Sequence, residues 1–323
     1  MRNAFAQELT ALAAQNPQIV LLSGDIGNRL FDPFKAQCPN RFFNCGVAEA
    51  NMASIAAGIA MCGLRPITYT IAPFNTTRCL EQIRDDICYH HVPVIIVGTG
   101  AGLSYASLGC THHSCEDIAF LRTLPNMTVL CPADSMELRS LLRLAIQHPG
   151  PVYMRIGKTG EPIIHQEPPP LQIGHAYPVQ TGHDLCILST GNMLATALET
   201  AKLLQQERIS AEVVSFHTVK PLDHAMLQEM SARFTRWVSL EEHSLIAGFG
   251  SSLTEWLVDR NMKSVSLLRC GTPDLFPHSI GSQAYLRAHY QLTPEHIYQK
   301  ILKEFYHENT SRYSCCTSSS CDR

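Results

Sequence analysis

Charge is the scarcest ingredient of this sequence: Asp, Glu, Lys and Arg make up 16% of its 323 residues and leave a net charge of -3, against about 25% charged residues in an ordinary soluble domain. A surface so thinly charged is expected to lie partly under a partner. No basic field is available to hold a phosphate backbone, so nucleic acid is excluded as the main ligand. Long apolar runs are missing too. The longest nearly uncharged stretches, such as SIAAGIAMCGL (54–64), fall short of the ~18–20 residues needed to span a bilayer, so no membrane association is expected. The start, MRNAFAQELTALAAQ, sets polar residues among its apolar ones, unlike a secretory leader. The thirteen cysteines therefore read as reduced thiols in a cytoplasmic protein. Also absent are the Gly-rich phosphate loops, the HExxH zinc motif and the GxSxG elbow.

What is present is repetition of one unit. Runs rich in Val, Ile and Leu at 19–24, 41–46, 65–71, 92–98, 127–131 and 151–156 alternate with segments of helical period at 2–15, 48–62, 76–90, 116–123 and 134–147. A second series follows, with strands at 184–190, 209–216, 236–242 and 264–270 and helices near 192–207, 222–231, 250–261 and 295–306. This alternation is the pattern of βα units around a largely parallel sheet, buried on both faces. The length exceeds the ~250–300 residues at which a single core stops growing. The expected fold is therefore α/β, as two parallel-sheet domains at 1–160 and 181–308. A proline-rich extended linker, 161–180, joins them, and a Ser/Cys-rich disordered tail, 309–323, follows.

Two stretches carry chemistry. In CGVAEANMASIAAGIAMCG (45–63) a strand end meets a helix of small residues with Glu49 in its first turn. On spacing alone that carboxylate interacts with the helix dipole for about 0.3–1 kcal/mol. In GTGAGLSYASLGCTHHSCED (98–117) a Gly-rich loop leaves a strand and ends on His112 and His113, where α/β proteins place ligands. Adjacent residues such as Thr111, His112, His113 and Cys115 rarely point at one ion, so no metal site is expected there. A histidine that holds a hydroxyl or moves a proton suits the loop better.

RFFNCGVAEANMASIAAGIAMCGLRPI (41–67), PFNTTRCLEQIRDD (73–86), GLSYASLGCTHHSCEDIAFLRTLPNMTVLCPAD (102–134) and EEHSLIAGFGSSLTEWL (241–257) together resemble the transketolase and deoxyxylulose-phosphate synthase family. The resemblance covers the pyrimidine-binding and C-terminal domains, and is closest to the C-terminal subunits of split transketolases. It implies thiamine diphosphate as cofactor and transfer of a two-carbon ketol unit from a ketose or ketose phosphate to an aldehyde or sugar acceptor. By the same resemblance, Glu49 gives its proton to the pyrimidine ring nitrogen, Phe74 stacks on that ring and Asp25 lies beside the cofactor. His112 contacts the donor's hydroxyls and aids proton transfer, Arg155 and Arg2 hold a substrate phosphate, and Arg78 lines the substrate channel unless it pairs with Glu81 or Asp85. Burial of Glu49 against the cofactor would keep its proton available.

Departures bear on the substrate. Gly100 and Leu108 stand where the family carries a phosphate-contacting His and a hydroxyl-contacting Asp, Arg29 replaces a phosphate-contacting Ser, and His113 replaces a Gln. These substitutions point to an altered acceptor, such as a modified, branched or nucleotide-linked sugar, with Arg29 and His113 as further substrate contacts. The family's Mg²⁺-binding GDG motif does not occur in its context; GDIG (24–27) is not that motif. Mg²⁺ ligands are thus expected on an N-terminal diphosphate-binding subunit, in an α2β2 assembly. Two alternatives stand beside this reading: the beta subunit of the first component of a 2-oxoacid dehydrogenase, and a non-catalytic scaffold.

Overall fold

The computed structural model describes residues 1–27 and 29–306; the Ser/Cys-rich tail and what was expected of it lie outside them. The strands are β1 (Ile19–Ser23), β2 (Phe42–Asn44), β3 (Arg65–Ile71), β4 (Ile95–Thr99), β5 (Thr128–Leu130), β6 (Val152–Ile156), β7 (Tyr177–Gln180), β8 (Leu185–Ser189), β9 (Ala211–Ser215), β10 (Thr218–Lys220), β11 (Arg236–Ser244) and β12 (Ser266–Thr272). Helices α1 (Arg2–Gln15), α2 (Asp32–Gln37), α3 (Glu49–Met61), α4 (Leu80–Gln82) with the π-helical turn Ile83–Tyr89, α5 (Asp117–Arg122) and α6 (Ser135–Gln147) belong to the first half. The second half holds α7 (Leu194–Gln206), α8 (His224–Arg233), α9 (Phe249–Asp259), α10 (Gln283–His289) and α11 (Pro294–Phe305).

Two sheets result, ordered β10-β5-β6-β4-β3-β1-β2 and β12-β11-β8-β9-β7. Every pairing is parallel except β10 with β5 and β7 with β9, which are antiparallel edges. The inner strands β1, β4, β6, β8 and β9 are buried at every position, as unbroken aliphatic runs require. Helix α6 starts where its cap was expected, the Asp134 carboxylate accepting from the amides of Met136 and Glu137.

Four elements escape the sequence pattern, the first being helix α2, only six residues long. Strand β7 lies inside the proline-rich stretch and contains Pro178, which an edge strand tolerates because one row of its amides needs no partner. Helix α10 is too short to show a stripe. Strand β10, three residues ahead of Pro221, comes from the second half of the chain yet completes the first sheet. The cores are joined accordingly. One apolar cluster runs without a break from Val20, Met52 and Ile96 to Phe216, Trp237 and Phe249, so the halves share a hydrophobic interior. The other two clusters lie under α1 and α6 and under α7 and α11.

His217, between β9 and β10, sits in this shared region with no exposed surface. Its Nδ1 lies 3.1 Å from the Thr218 hydroxyl, and its Nε2 has no partner among the described residues. Burial pushes its pKa from 6.5 down to about 4, with Asp223 opposing and His175 and His165 reinforcing the shift. Between those values the unfolded chain takes up a proton that the folded chain refuses. This contribution to stability is therefore complete above pH 6.5 and is lost as pH falls toward 4. Such a gap is worth about 3 kcal/mol. His217→Phe is thus expected to lose less stability than the parent between about pH 7 and about pH 4, by roughly that amount. Paired urea titrations check this, and parallel pH profiles would rule it out.

Candidate functional site

Parallel strands leave their loops at one edge of a sheet, and there the candidates gather. Gly24 and Asp25 follow β1, Glu49 follows β2, Phe74 and Arg78 follow β3, the Gly-rich loop 100–116 follows β4, and Lys158 follows β6. Arg2 opens α1.

Glu49 is the first residue of α3 and is 2% exposed. Ala53, Ala56, Ala57 and Ala60 pack the inner face of the helix, so its start sits close against the sheet. The Glu49 Oε2 accepts from Arg78 Nη1 at 2.9 Å. Arg78 pairs with neither Glu81 nor Asp85; its guanidinium carbon lies 4.1 Å from the centre of the Phe74 ring. His112, half-buried, meets Phe74 edge to face at 5.2 Å between ring centres. Tyr105 is 6.0 Å beyond and carries the Lys158 ammonium 4.4 Å over its ring. Burial raises the Tyr105 phenol pKa and the Arg2 charge beside it pulls it down. A continuous line of contacts thus joins Glu49, Arg78, Phe74, His112, Tyr105, Lys158 and Arg2.

The residues fit a flat, polar heterocycle. The guanidinium of Arg78, itself planar and rich in donors, already lies between the face of Phe74 and the carboxylate of Glu49, the two contacts an aminopyrimidine requires. Gly24 leaves a cradle beside them: a Cβ there would stand 3.0 Å from Thr70 Cβ and 3.4 Å from Glu49 Cγ. The buried Thr70 Oγ1 and Arg2 Nε have no partners among the described residues, and such groups call for a bound polar partner or water. The Arg78 side chain is 44% exposed, so solvent reaches it from the side away from Glu49.

The remaining candidates are placed differently. Asp25, at φ 56°, is exposed and accepts from Asn44 Nδ2 at 2.9 Å. Arg29 is exposed on the turn before α2, and none of the contacts above reaches it among the described residues. His113 is 8% exposed and turns its Nε2 toward the Ala106 carbonyl at 3.4 Å. Burial lowers its pKa from 6.5, partly opposed by that carbonyl. It packs against the base of its own loop. Arg155 is buried as well. Its side chain is 4% exposed and its Nε donates to Asp117 at 2.9 Å, while Nη2 donates to the carbonyls of Ser114 and Glu242, both at 3.0 Å. A guanidinium so occupied links the two halves of the chain. No group of three or more His, Cys, Asp and Glu among the described residues could hold a metal ion, and no helix among them is long and apolar enough to cross a membrane.

Sequence reasoning missed Tyr105, Lys158 and Glu242. The first two stand in SYAS and RIGK, at the ends of parallel strands, and that position alone was their signal.

Comparison with known proteins agrees with the geometry. The model of the transketolase pyrimidine-binding domain matches residues 1–160, and that of the transketolase C-terminal domain matches 174–297. The chain is 34% identical over 307 residues to a putative transketolase C-terminal section of Methanocaldococcus jannaschii, covering 94% of this chain and 96% of that one. It is 32% identical over 305 residues to a subunit of the apulose-4-phosphate transketolase of Phocaeicola vulgatus, with the same coverage. Against the 1-deoxy-D-xylulose-5-phosphate synthase of Rippkaea orientalis it is 35% identical over 308 residues, 94% of this chain but only 48% of the synthase. Among solved structures, a split-gene transketolase described as an inactive β4 tetramer has a TM-score of 0.85 at 35% identity, covering 94% and 96% of the two chains. A transketolase variant of Pichia stipitis has a TM-score of 0.76 at 20% identity, covering 94% and 45%, a likeness of fold alone.

Proposed function

The chain belongs to the transketolase family, and from that premise we propose that it is the pyrimidine-binding half of a two-chain enzyme that moves a two-carbon ketol unit from a ketose or its phosphate to an aldehyde acceptor. Thiamine diphosphate, when bound, supplies the nucleophilic carbon that such a transfer requires. Its diphosphate and Mg²⁺ fall to an N-terminal subunit, in line with relatives that are themselves sections or subunits of a transketolase. Without that subunit the chain is inactive, as the related β tetramer is described to be.

The observation that carries this reading is the planar Arg78 guanidinium held between the Glu49 carboxylate and the Phe74 ring. If the pyrimidine took the place of the Arg78 guanidinium, Glu49 would hold a proton at its carboxyl oxygen for a ring nitrogen, and Phe74 would hold the ring by stacking. Arg78, displaced from Glu49, turns to the channel. His112, against the edge of Phe74, accepts or returns a proton at a donor hydroxyl. Arg2 and Lys158 orient an anionic end of the substrate, the task expected of Arg155.

Calorimetric titration of thiamine diphosphate with MgCl₂ into this chain alone, and into the chain co-produced with a transketolase N-terminal subunit, tests the reading. Tight, Mg²⁺-dependent binding by the pair only, with ketol transfer from a ketose phosphate to an aldose, is the expected result. Binding by neither would overturn it in favour of a scaffold. Decarboxylation of a 2-oxoacid by the pair without ketol transfer would replace it with the dehydrogenase.

A further inference from the structure

The Gly-rich loop that carries Tyr105, His112 and His113 is a lariat. Its neck is closed by paired hydrogen bonds, Gly102 N to Ser114 O at 2.8 Å and Ser114 N to Gly102 O at 3.0 Å. Arg155 of β6 holds one side of that neck through the Ser114 carbonyl, and the second domain holds the other. The Glu242 side chain, on β11 and without exposed surface, reaches out of its own sheet so that Oε1 accepts from the Leu103 amide at 2.8 Å. Gly102, at φ +62°, is pressed so close that a Cβ would lie 2.5 Å from the same oxygen. The carboxylate is compensated by Arg287 and Gln283 of α10, and Gln283 extends to the Ser104 hydroxyl at 3.3 Å. Two residues along β11, the Ser244 amide donates to the Cys115 carbonyl at 2.7 Å. Arg155 joins the Ser114 and Glu242 carbonyls.

We propose that Glu242, set by Arg287 and Gln283, is a positioning residue through which the C-terminal domain fixes the neck of the histidine loop and hence the place of His112 over the cofactor slot. It touches neither substrate nor cofactor. A buried carboxylate is costly unless its charge and lone pairs are met. Here the partners that meet them come from α10 and from the loop itself, so loop and second domain are locked as one unit. Glycine at 102 is part of the same device, because only a residue without Cβ allows the backbone to approach the carboxylate in this conformation. The proposal rests on the reading of His112 given above, and assigns the C-terminal domain a part in it.

Hydrogen–deuterium exchange on the intact chain tests the clasp without any cofactor. In Glu242→Gln an amide group replaces one acceptor oxygen and faces donors on every side, so peptides spanning 102–114 should exchange about tenfold faster or more, while those from β8 and α7 keep their rates. Gln283→Leu, milder, should shift the same peptides by a few-fold. In the assembled enzyme with thiamine diphosphate and Mg²⁺, Glu242→Gln should lower kcat about tenfold with donor KM within about twofold. Unchanged loop exchange in both variants would overturn the proposal, as would loosening spread over the whole chain in Glu242→Gln with none in Gln283→Leu. If loop exchange responds but the parent pair transfers no ketol unit, the clasp stands and the proposed function falls.

Discussion

Glu49→Ala is expected to lower ketol transfer by the assembled enzyme at least about 10²-fold, and up to about 10⁴-fold, the range of general acid–base catalysis. The same substitution should cost the fold little. Glu49 makes one ion pair, to an arginine that is nearly half exposed, and its interaction with the start of α3 is worth about 0.3–1 kcal/mol; alanine is itself a favourable helix residue. The two roles open to this carboxylate therefore differ in what they move. As a dipole partner it would shift the urea midpoint slightly and leave turnover intact; as the proton holder for the pyrimidine it leaves the midpoint nearly unchanged and removes turnover. Steady-state kinetics of the Glu49→Ala pair beside urea titration of the isolated chain separates them. Turnover equal to the parent's would end the proposed role.

Arg155→Met should act in the opposite way, unfolding the chain more readily by about 3–5 kcal/mol, the cost of leaving a buried charge without its partner. Asp117 has no exposed side-chain surface and accepts from both Arg155 and the Tyr153 hydroxyl, so nothing else can neutralise it in place. Nη2 of Arg155 also ties Ser114 to Glu242, and its loss removes bonds between the halves. Had Arg155 held a substrate phosphate, the variant would keep its stability and show a raised KM. Urea midpoints decide the matter, and recovery of part of the loss in Arg155→Met with Asp117→Asn would identify the unpaired carboxylate as the cause.

The architecture was legible because buried parallel strands must be continuous aliphatic runs and the helices between them must be amphipathic or small. The place of Glu49 at the start of a helix was legible in the pattern, but its role came from the family resemblance, because on spacing alone a first-turn carboxylate reads as a dipole partner. Charge pairing was not. Arg78 finds Glu49 across 29 positions, Arg155 finds Asp117 across 38, and Glu242 finds the Leu103 amide across 139. No local period records such distances, and an arginine's donors look equally available in a string of letters whether they face solvent, substrate or a buried aspartate. Strand β10 was hidden for a related reason: three residues before a proline make an edge strand only because another sheet's border waits for them.

That borrowed strand ties the two modules in a way their linear order conceals. A fragment ending at the prolines would present the outer rim of β5 as a bare row of amides and carbonyls, the template on which separate molecules pair and precipitate. The boundary drawn by sequence families is thus not a place where this polypeptide can be cut: its trailing half is what seals the leading one.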